Sequence, residues 1–476
     1  MPHFFRLPRE IRDIIYRQYV LCEGGYVLNP HTNKLTSGSN NQPIDLSLMS
    51  TCKRVAAEMK HMALAVNILT FSTFYSPEER IRAGIFHLAH NELALYLKLK
   101  LIDLPQRLLS DDMYAEISAA YPQFTTFLDS IRDGSYAILY VPLGTGAFCG
   151  DRELSRDPRL AEALIYRPVP WAIPDQHDLD KITDLFSRSG DLRLPCNRAW
   201  NGHERTKFRY SAAAVAIRFL KSLPPTTRAQ IKTMVLLEDR EAVENPECHA
   251  LGLIPFCQEN PSLRVERRVS LWKNAFLYSS LHQTSLYRLQ DGFRGLEANE
   301  VSAGLARWIM EALTLVPAGM PPGSFTLVLD GEQDPTCEEI FQSVVLRDAV
   351  WQQAMDESFA RGYLPPTPFV KRREDHRSRN YFYIGAESFC NHSYVCERFP
   401  QAVADIVNGT SIVRCSFNPG ELSDVEQLVE ERKSWTLADW KTKWFARDTP
   451  TFRPSPGFTP WKKILRECVV PKRDAY

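Results

Sequence analysis

The sequence predicts a mixed α/β (α+β) protein in which mostly parallel strands are covered by helices. Three observations carry this. From Ser211 onward, strand-length apolar runs alternate with helical stripes. The runs IKTMVLLED (231–239) and GSFTLVLDG (323–331) are nearly all apolar, as buried parallel strands require. Before Ser211, the clearest periodicity is helical.

Size and charge bound the function classes. At 476 residues the chain is too long for one ordinary core. Hydrophobic content of 44% and charged content of 24% are those of a soluble globular protein. Lys plus Arg equals Asp plus Glu at 57 each, so nothing supplies the large positive field needed to coat nucleic acid or an anionic membrane. Eleven scattered cysteines lack the spacing of a secreted scaffold, and Arg6 follows Phe4-Phe5 with no apolar signal region between. The longest candidate span, around 137–148, is broken by Pro142, Gly144 and Gly146. An intracellular protein, cytoplasmic or nuclear, with reduced thiols is expected.

Each element then follows in order. In LPREIRDIIYRQYVL (7–21), Pro8 suits the first turn of a helix. Leu7, Ile11, Ile15 and Tyr19 recur every four residues with Ile14 on the same face, and Arg9, Arg12, Asp13 and Arg17 are assigned to the outside. The helix ends near Cys22, before Gly24-Gly25. Residues 26–43 are turn-rich and read as a small hairpin. Asp45 then caps a stripe of Leu48, Cys52, Val55, Met59, Met62 and Val66, one helix of about five turns. An extended piece, Ile68–Ser72, closes the segment.

The two segments FFRLPREIRDIIYRQYV and IDLSLMSTCKRVAAEM together resemble an F-box-like module. They are especially similar to the N-terminal modules of a large, mostly uncharacterised group of filamentous-fungal proteins. The resemblance rests on Leu7-Pro8 opening the first helix and on Cys52-Lys53 in the later one. It implies docking onto the small adaptor subunit of a cullin-RING (SCF-type) ubiquitin ligase, with the rest of the chain recruiting a protein substrate of unknown identity. The docking residues would be Leu7, Pro8, Ile11, Ile14 and Ile15, with Leu48, Cys52 and Val55 completing or supporting that surface. Val55 stands where the family carries a large aromatic, and the connection from Cys22 to Ile44 is longer than in most members.

Ser76-Pro77-Glu78-Glu79 starts a further helix, Ser76 capping it and Glu79 closing a capping box, and 76–140 reads as mostly helical. Residues 141–210 are Pro-punctuated and irregular, with one helical island at 179–190. The α/β platform spans 211–360: helix (211–224), strand, a short helix or turn (248–261), strand (262–272), helix (301–317), strand, and a long helix whose cap is Asp334 with Pro335 in its first turn. Its helix-then-strand rhythm loosely resembles a degenerate leucine-rich-repeat architecture, although the spacing is irregular. Residues 361–476 read as helices around a strand (411–417), with Thr436 capping the last, and a Pro-interrupted surface arm. The expected units are therefore 1–75, 76–140, 141–210, 211–360 and 361–476.

No P-loop, His-Glu-x-x-His or Gly-x-Ser-x-Gly motif is present, and no enzyme activity, metal or cofactor is expected. GTGAFCG (144–150) reads as a Gly-rich turn. Cys390, His392, Cys396 and Cys415, and the looser set Cys248, His249 and Cys257, read as free cysteines rather than zinc ligands. Lys371-Arg372-Arg373 reads as a solvated loop, with nuclear import or an acidic partner as the alternative. Two competitors to docking remain. The N-terminal helices would merely cover the protein's own core, or acidic strand ends, Asp330 with Glu332 and Asp334 and Glu238 with Asp239, would serve a metal-dependent enzyme. The enzyme requires Asp330 and Glu238 to converge on one cleft.

Overall fold

The computed structural model describes residues 4–103, 110–112, 114–115, 169–187, 205–277, 295–365, 395–396, 398–447 and 450–471. The readings placed on 116–168, on Lys371–Arg373 and on Cys390 and His392 lie outside them.

Seven strands form one sheet in the order β2-β1-β3-β4-β5-β7-β8. They are β1 (Tyr26–Asn29), β2 (Lys34–Ser37), β3 (Leu69–Ser72), β4 (Thr233–Glu238), β5 (Arg264–Ser270), β7 (Phe325–Asp330) and β8 (Val413–Cys415). A separate pair joins β6 (Leu296–Glu297) to β9 (Thr451–Phe452). β1 and β2 form the expected hairpin, and every other pairing in the large sheet is parallel. Apart from the hairpin, the strands lie in chain order. Among the described strands this order has no switch point, the place where open α/β sheets hold their ligands.

The register sets two unlike faces. Leu69, Met234, Val265 and Phe325 are aligned, and this face is buried along the sheet, through Phe71, Leu236, Arg267, Leu327 and Val413. The opposite face carries Thr70, Val235, Leu237, Glu266, Arg268 and Thr326, all half-buried. The buried face shares one continuous core with α6 (Ala212–Ser222) and α8 (Ala298–Thr314). The strands at 26–37 and 69–72 extend the same sheet as 233–238, so the N-terminal segment and the α/β platform share one core.

Helices follow their caps. Ser76 Oγ accepts from Glu79 N (3.1 Å) at the start of α4 (Pro77–Asp103), whereas the Glu79 side chain turns to Arg82 (3.2 Å). α5 (Gln176–Ser187) is the helical island of the irregular region. Ser211 caps α6 through Ala214 N (3.0 Å). α7 (Ile254–Glu259) follows a 3-10 stretch, Pro246–Leu253. Asp334 caps α9 (Pro335–Ile340) through Thr336 N (3.0 Å), and this helix runs through a π turn at Phe341–Val345 into α10 (Leu346–Ala360). α11 (Phe399–Val407), α12 (Val425–Glu431), α13 (Leu437–Arg447), capped by Thr436, and α14 (Trp461–Glu467) complete the chain.

Two expectations are corrected here. The stripe at 48–66 is not one helix: a 3-10 turn (Ser47–Ser50), α2 (Lys53–Met59) and α3 (Met62–Val66) follow one another. Cys52 is extended and its thiol caps α2, and His61 adopts the left-handed region (φ 64°), so the chain bends twice. Nor does the C-terminal arm lie on the surface. Trp461, Ile464, Leu465 and Cys468 are buried, Trp461 meets Trp272 edge-on at 5.6 Å, and Val470 N bonds Arg205 O (2.7 Å). The prolines mask a helical stripe at i, i+3, i+4 and i+7.

Gly24 and Gly25 turn the chain from the first helix into β1 with φ of 74° and 67°. A Cβ on Gly25 would lie 2.4 Å from Ile68 O, whose carbonyl accepts from Tyr26 N. Gly25→Ala is therefore expected to lower stability by more than the roughly 1–2 kcal/mol that left-handed backbone costs an ordinary residue. Urea unfolding of the full chain measures it, and an unchanged midpoint would contradict the close approach.

Among the described residues no helix is long and apolar enough to cross a membrane, and the eight described cysteines are free thiols.

Candidate functional site

The first helix, α1 (Arg9–Val20), presents the predicted apolar stripe, but outward. Leu7, Pro8, Ile11, Ile14 and Ile15 are exposed, Ile14 at 63%, and Tyr19 and Leu21 extend the same surface. The face turned inward carries Arg12, Tyr16 and Val20, exposed by 4% or less. Arg12, assigned to the outside, is thus a buried residue. A helical period defines a stripe but not which stripe the rest of the chain covers, and the partner that accepts Arg12 lies 46 residues away.

That partner is Glu58 on α2. Arg12 donates to it twice (Nε 2.9 Å, Nη2 2.8 Å), Tyr16 Oη donates at 2.9 Å and Arg54 Nε at 3.0 Å. The Arg12 hydrogen bonds, helped by those of Arg54 and Tyr16, hold the Glu58 carboxyl down to about 2, against the opposing effect of burial. Burial, then the bond to Glu58, pushes the Tyr16 hydroxyl up. Around this network Val55 and Met59 are buried with Tyr16 and Val20, and Leu48 and Cys52 pack half-buried against them. Val55 and its neighbours hold α1 in place, while Leu7, Pro8, Ile11, Ile14 and Ile15 form the open surface.

The helix is fastened at its far end too. Asn67, buried, donates to Val20 O (2.8 Å) and accepts from Cys22 N (2.8 Å), and Tyr26 Oη also donates to Val20 O (2.9 Å). The long connection between the helices is the β1–β2 hairpin at the sheet edge. Sequence reasoning missed Arg12, Tyr16, Glu58 and Asn67. Their signal was weak: a charge recurring in register with Tyr16 and Val20.

The acidic strand ends do not converge. Glu238 aligns with Val269, and Val269 with Leu329, so Asp330, one residue on, belongs to the opposite face of the sheet. Glu238 is fully buried and committed to Arg267 (2.7 Å) and to the amides of Ala212 and Ala213. Asp330 accepts from Ser416 Oγ (3.1 Å) and the amide of Glu332, whose side chain pairs with Lys273 (2.5 Å). Asp334 caps α9 and receives Ser455 N (3.1 Å).

A buried polar hub lies near the start of α6. Ser211 Oγ meets His249 Nδ1 (2.7 Å), and His249 Nε2 meets Glu244 O (2.7 Å). Burial holds His249 at about 3, hence neutral, so its Nε2–H donates to Glu244 O and Ser211 donates to Nδ1. The Glu244 carboxylate lies between His87 Nδ1 (3.2 Å) and His90 Nδ1 (2.9 Å) on α4. Both nitrogens of His249 are thus used within the fold. Among the described residues no group of three or more His, Cys, Asp or Glu is placed to hold a metal ion.

No protein-family model, no curated protein and no solved structure matches the chain.

Proposed function

We propose that this chain is an F-box-like, non-enzymatic interaction protein, the substrate-recruiting subunit of an SCF-type ubiquitin ligase acting in the cytoplasm or nucleus. The observation that carries the reading is the exposed stripe Leu7, Ile11, Ile14 and Ile15 on a helix whose other face is locked by Arg12, Tyr16 and Glu58. A helix serving only its own core would bury that stripe; a docking helix leaves it open and needs a rigid back. The adaptor is the partner that the Leu7-Pro8 and Cys52-Lys53 pattern implies. The sheet face bearing Thr70, Val235, Leu237, Glu266 and Arg268, half-buried, is the recognition face, in keeping with a repeat-like platform. Holding a substrate beside the ligase makes their encounter effectively intramolecular.

One observation favours the self-packing alternative: β1, β2 and β3 extend the central sheet, so residues 1–75 also complete the protein's own core. The two roles use different surfaces and are separable. Full-length protein carrying Ile11→Glu and Ile14→Glu should lose ligase adaptor in co-purification by at least about tenfold, as when central apolar anchors are removed. Its melting temperature should stay unchanged, because both side chains are solvent-facing. Val55→Ala should do the reverse, lowering stability by about 1–2 kcal/mol at a buried site. Absence of adaptor from the wild-type protein would sink the ligase reading.

A further inference from the structure

We infer an oxyanion-binding site for a phosphate group at the Arg432 side of the tryptophan cluster that joins α10, α12 and α13. It is independent of docking through α1. Trp351, Trp440 and Trp444 are buried there with Trp435 half-buried beside them. The Arg432 guanidinium sits against three of these rings, at 4.5 Å from Trp351, 4.7 Å from Trp435 and 5.5 Å from Trp440.

Arg432 is over nine-tenths buried, and its Nη1 is sealed from solvent without an acceptor. Among the described residues no carboxylate or carbonyl is hydrogen-bonded to the rest of the guanidinium, and Glu431 acts on it through its charge alone. The indole N–H groups of Trp351, Trp440 and Trp444 are likewise buried without acceptors. The cluster therefore gathers donors and supplies none of their partners, where buried polar groups ordinarily find one. Ring faces attract the cation, yet they leave its N–H groups unbonded.

A second guanidinium, Arg447, lies 5.2 Å from the Trp351 ring and is exposed, again with no ion pair among the described residues. Neighbouring arginines are treated differently: Arg361 is paired with Glu426 and Arg347 with Asp348. Burial lowers Arg432 to about 10 and the charge of Arg447 adds to that effect, against the weaker opposing charge of the Glu431 carboxylate, so the two cations repel one another. Two guanidiniums without an ion pair among the described residues favour a dianion over a single charge. A phosphate monoester carries nearly two charges and three acceptor oxygens at neutral pH, and a carboxylate only one charge. Exposed Arg447 and half-buried Trp435 mark the side of approach.

The test is titration of the full chain with inorganic phosphate, a phosphoserine peptide of otherwise neutral composition, and acetate, all at fixed ionic strength. Tryptophan fluorescence and melting temperature are read together. Saturable binding of phosphate or of the phosphopeptide, with acetate at least about tenfold weaker, is expected. Preference for the peptide identifies a phosphorylated chain as the source, and preference for inorganic phosphate a small anion; both support the site. Arg447→Gln, an exposed change that leaves the fold intact, should weaken phosphate at least about tenfold. Arg432→Met, which keeps the packing against the rings, should abolish the response. No saturable response, acetate binding as tightly as phosphate, or a response undiminished in folded Arg447→Gln would overturn the inference.

Discussion

Replacing Arg267 by methionine is expected to destabilise the protein by about 3–5 kcal/mol, the penalty for stranding one half of a buried ion pair. Arg267 and Glu238 are each 1% exposed or less, on neighbouring strands β5 and β4. Arg267 Nε and Nη2 both reach Glu238 Oε1 (2.9 and 2.7 Å). Its Nη1 and Nη2 also donate to the carbonyls of Glu247 (3.1 Å) and Pro246 (2.6 Å), and its Cζ lies 4.8 Å from the Trp308 ring centre. Glu238 in turn accepts from the first amides of α6, Ala212 (3.1 Å) and Ala213 (3.2 Å). One pair thus ties two strands, a helix start and the 3-10 stretch. Lysine is no substitute, since an ammonium lacks the planar fork these contacts use. Adding Glu238→Gln to Arg267→Met should recover part of the loss, because the amide oxygen still accepts from α6 and the stranded charge is gone. Chemical denaturation of wild type, both single variants and the double variant measures the coupling. A double variant less stable than Arg267→Met alone would mean that the cap, not the charge, dominates.

The same pair explains what could be read in the sequence and what could not. The strand runs at 231–239 and 323–331 were legible because buried parallel strands need apolar residues on both faces, and 262–272 through its alternation. Asp334-Pro335 and Ser76-Pro77 were legible as helix starts because a cap is a local device. Arg267 was not, since an arginine inside a strand reads as polar until Glu238, 29 residues away, is placed beside it. Arg12 failed for the same reason, its acceptor Glu58 being supplied by another helix. The apolar stripe of α1 was found correctly, but its direction depends on which face the hairpin, α2 and α3 leave uncovered. The break at His61 is a single left-handed residue within an otherwise unbroken period of apolar positions, and periodicity does not register it.

The contribution of Glu311 to stability should fall as pH rises from about 5 to 8, and Glu311→Gln should remove that contribution. Glu311 projects from α8 and is nine-tenths buried near Glu247. Burial first, and the Glu247 charge second, push its carboxyl up to about 8 against the opposing pull of Arg307 and Arg267. Arg307 is engaged with Glu247 (3.4 Å), whose Oε2 is buried without a partner. The folded protein therefore holds a proton on Glu311 that the unfolded chain releases near the ordinary value of 4.5. A group raised in this way contributes fully below its unfolded value, and the contribution is lost as pH climbs through the folded one. The slope is at most about 1.4 kcal/mol for each pH unit between the two values. Glutamine keeps the shape and the hydrogen-bonding capacity of the neutral acid without an ionisable proton. At pH 8 the variant should be more stable than wild type by on the order of 3 kcal/mol, and at pH 4 the two should nearly coincide. Glu58 and Glu244, each held down to about 2, and His249, held by burial at about 3, work in the opposite sense: the carboxylates' contributions are lost as pH falls through the acid range, and that of His249 as pH falls from its ordinary 6.5 toward 3. The measurement is urea unfolding at one-unit steps from pH 4 to 9, read as the difference between variant and wild type so that His249, Glu58 and Glu244 cancel. Parallel curves across that window would show that Glu311 is already ionised in the native protein.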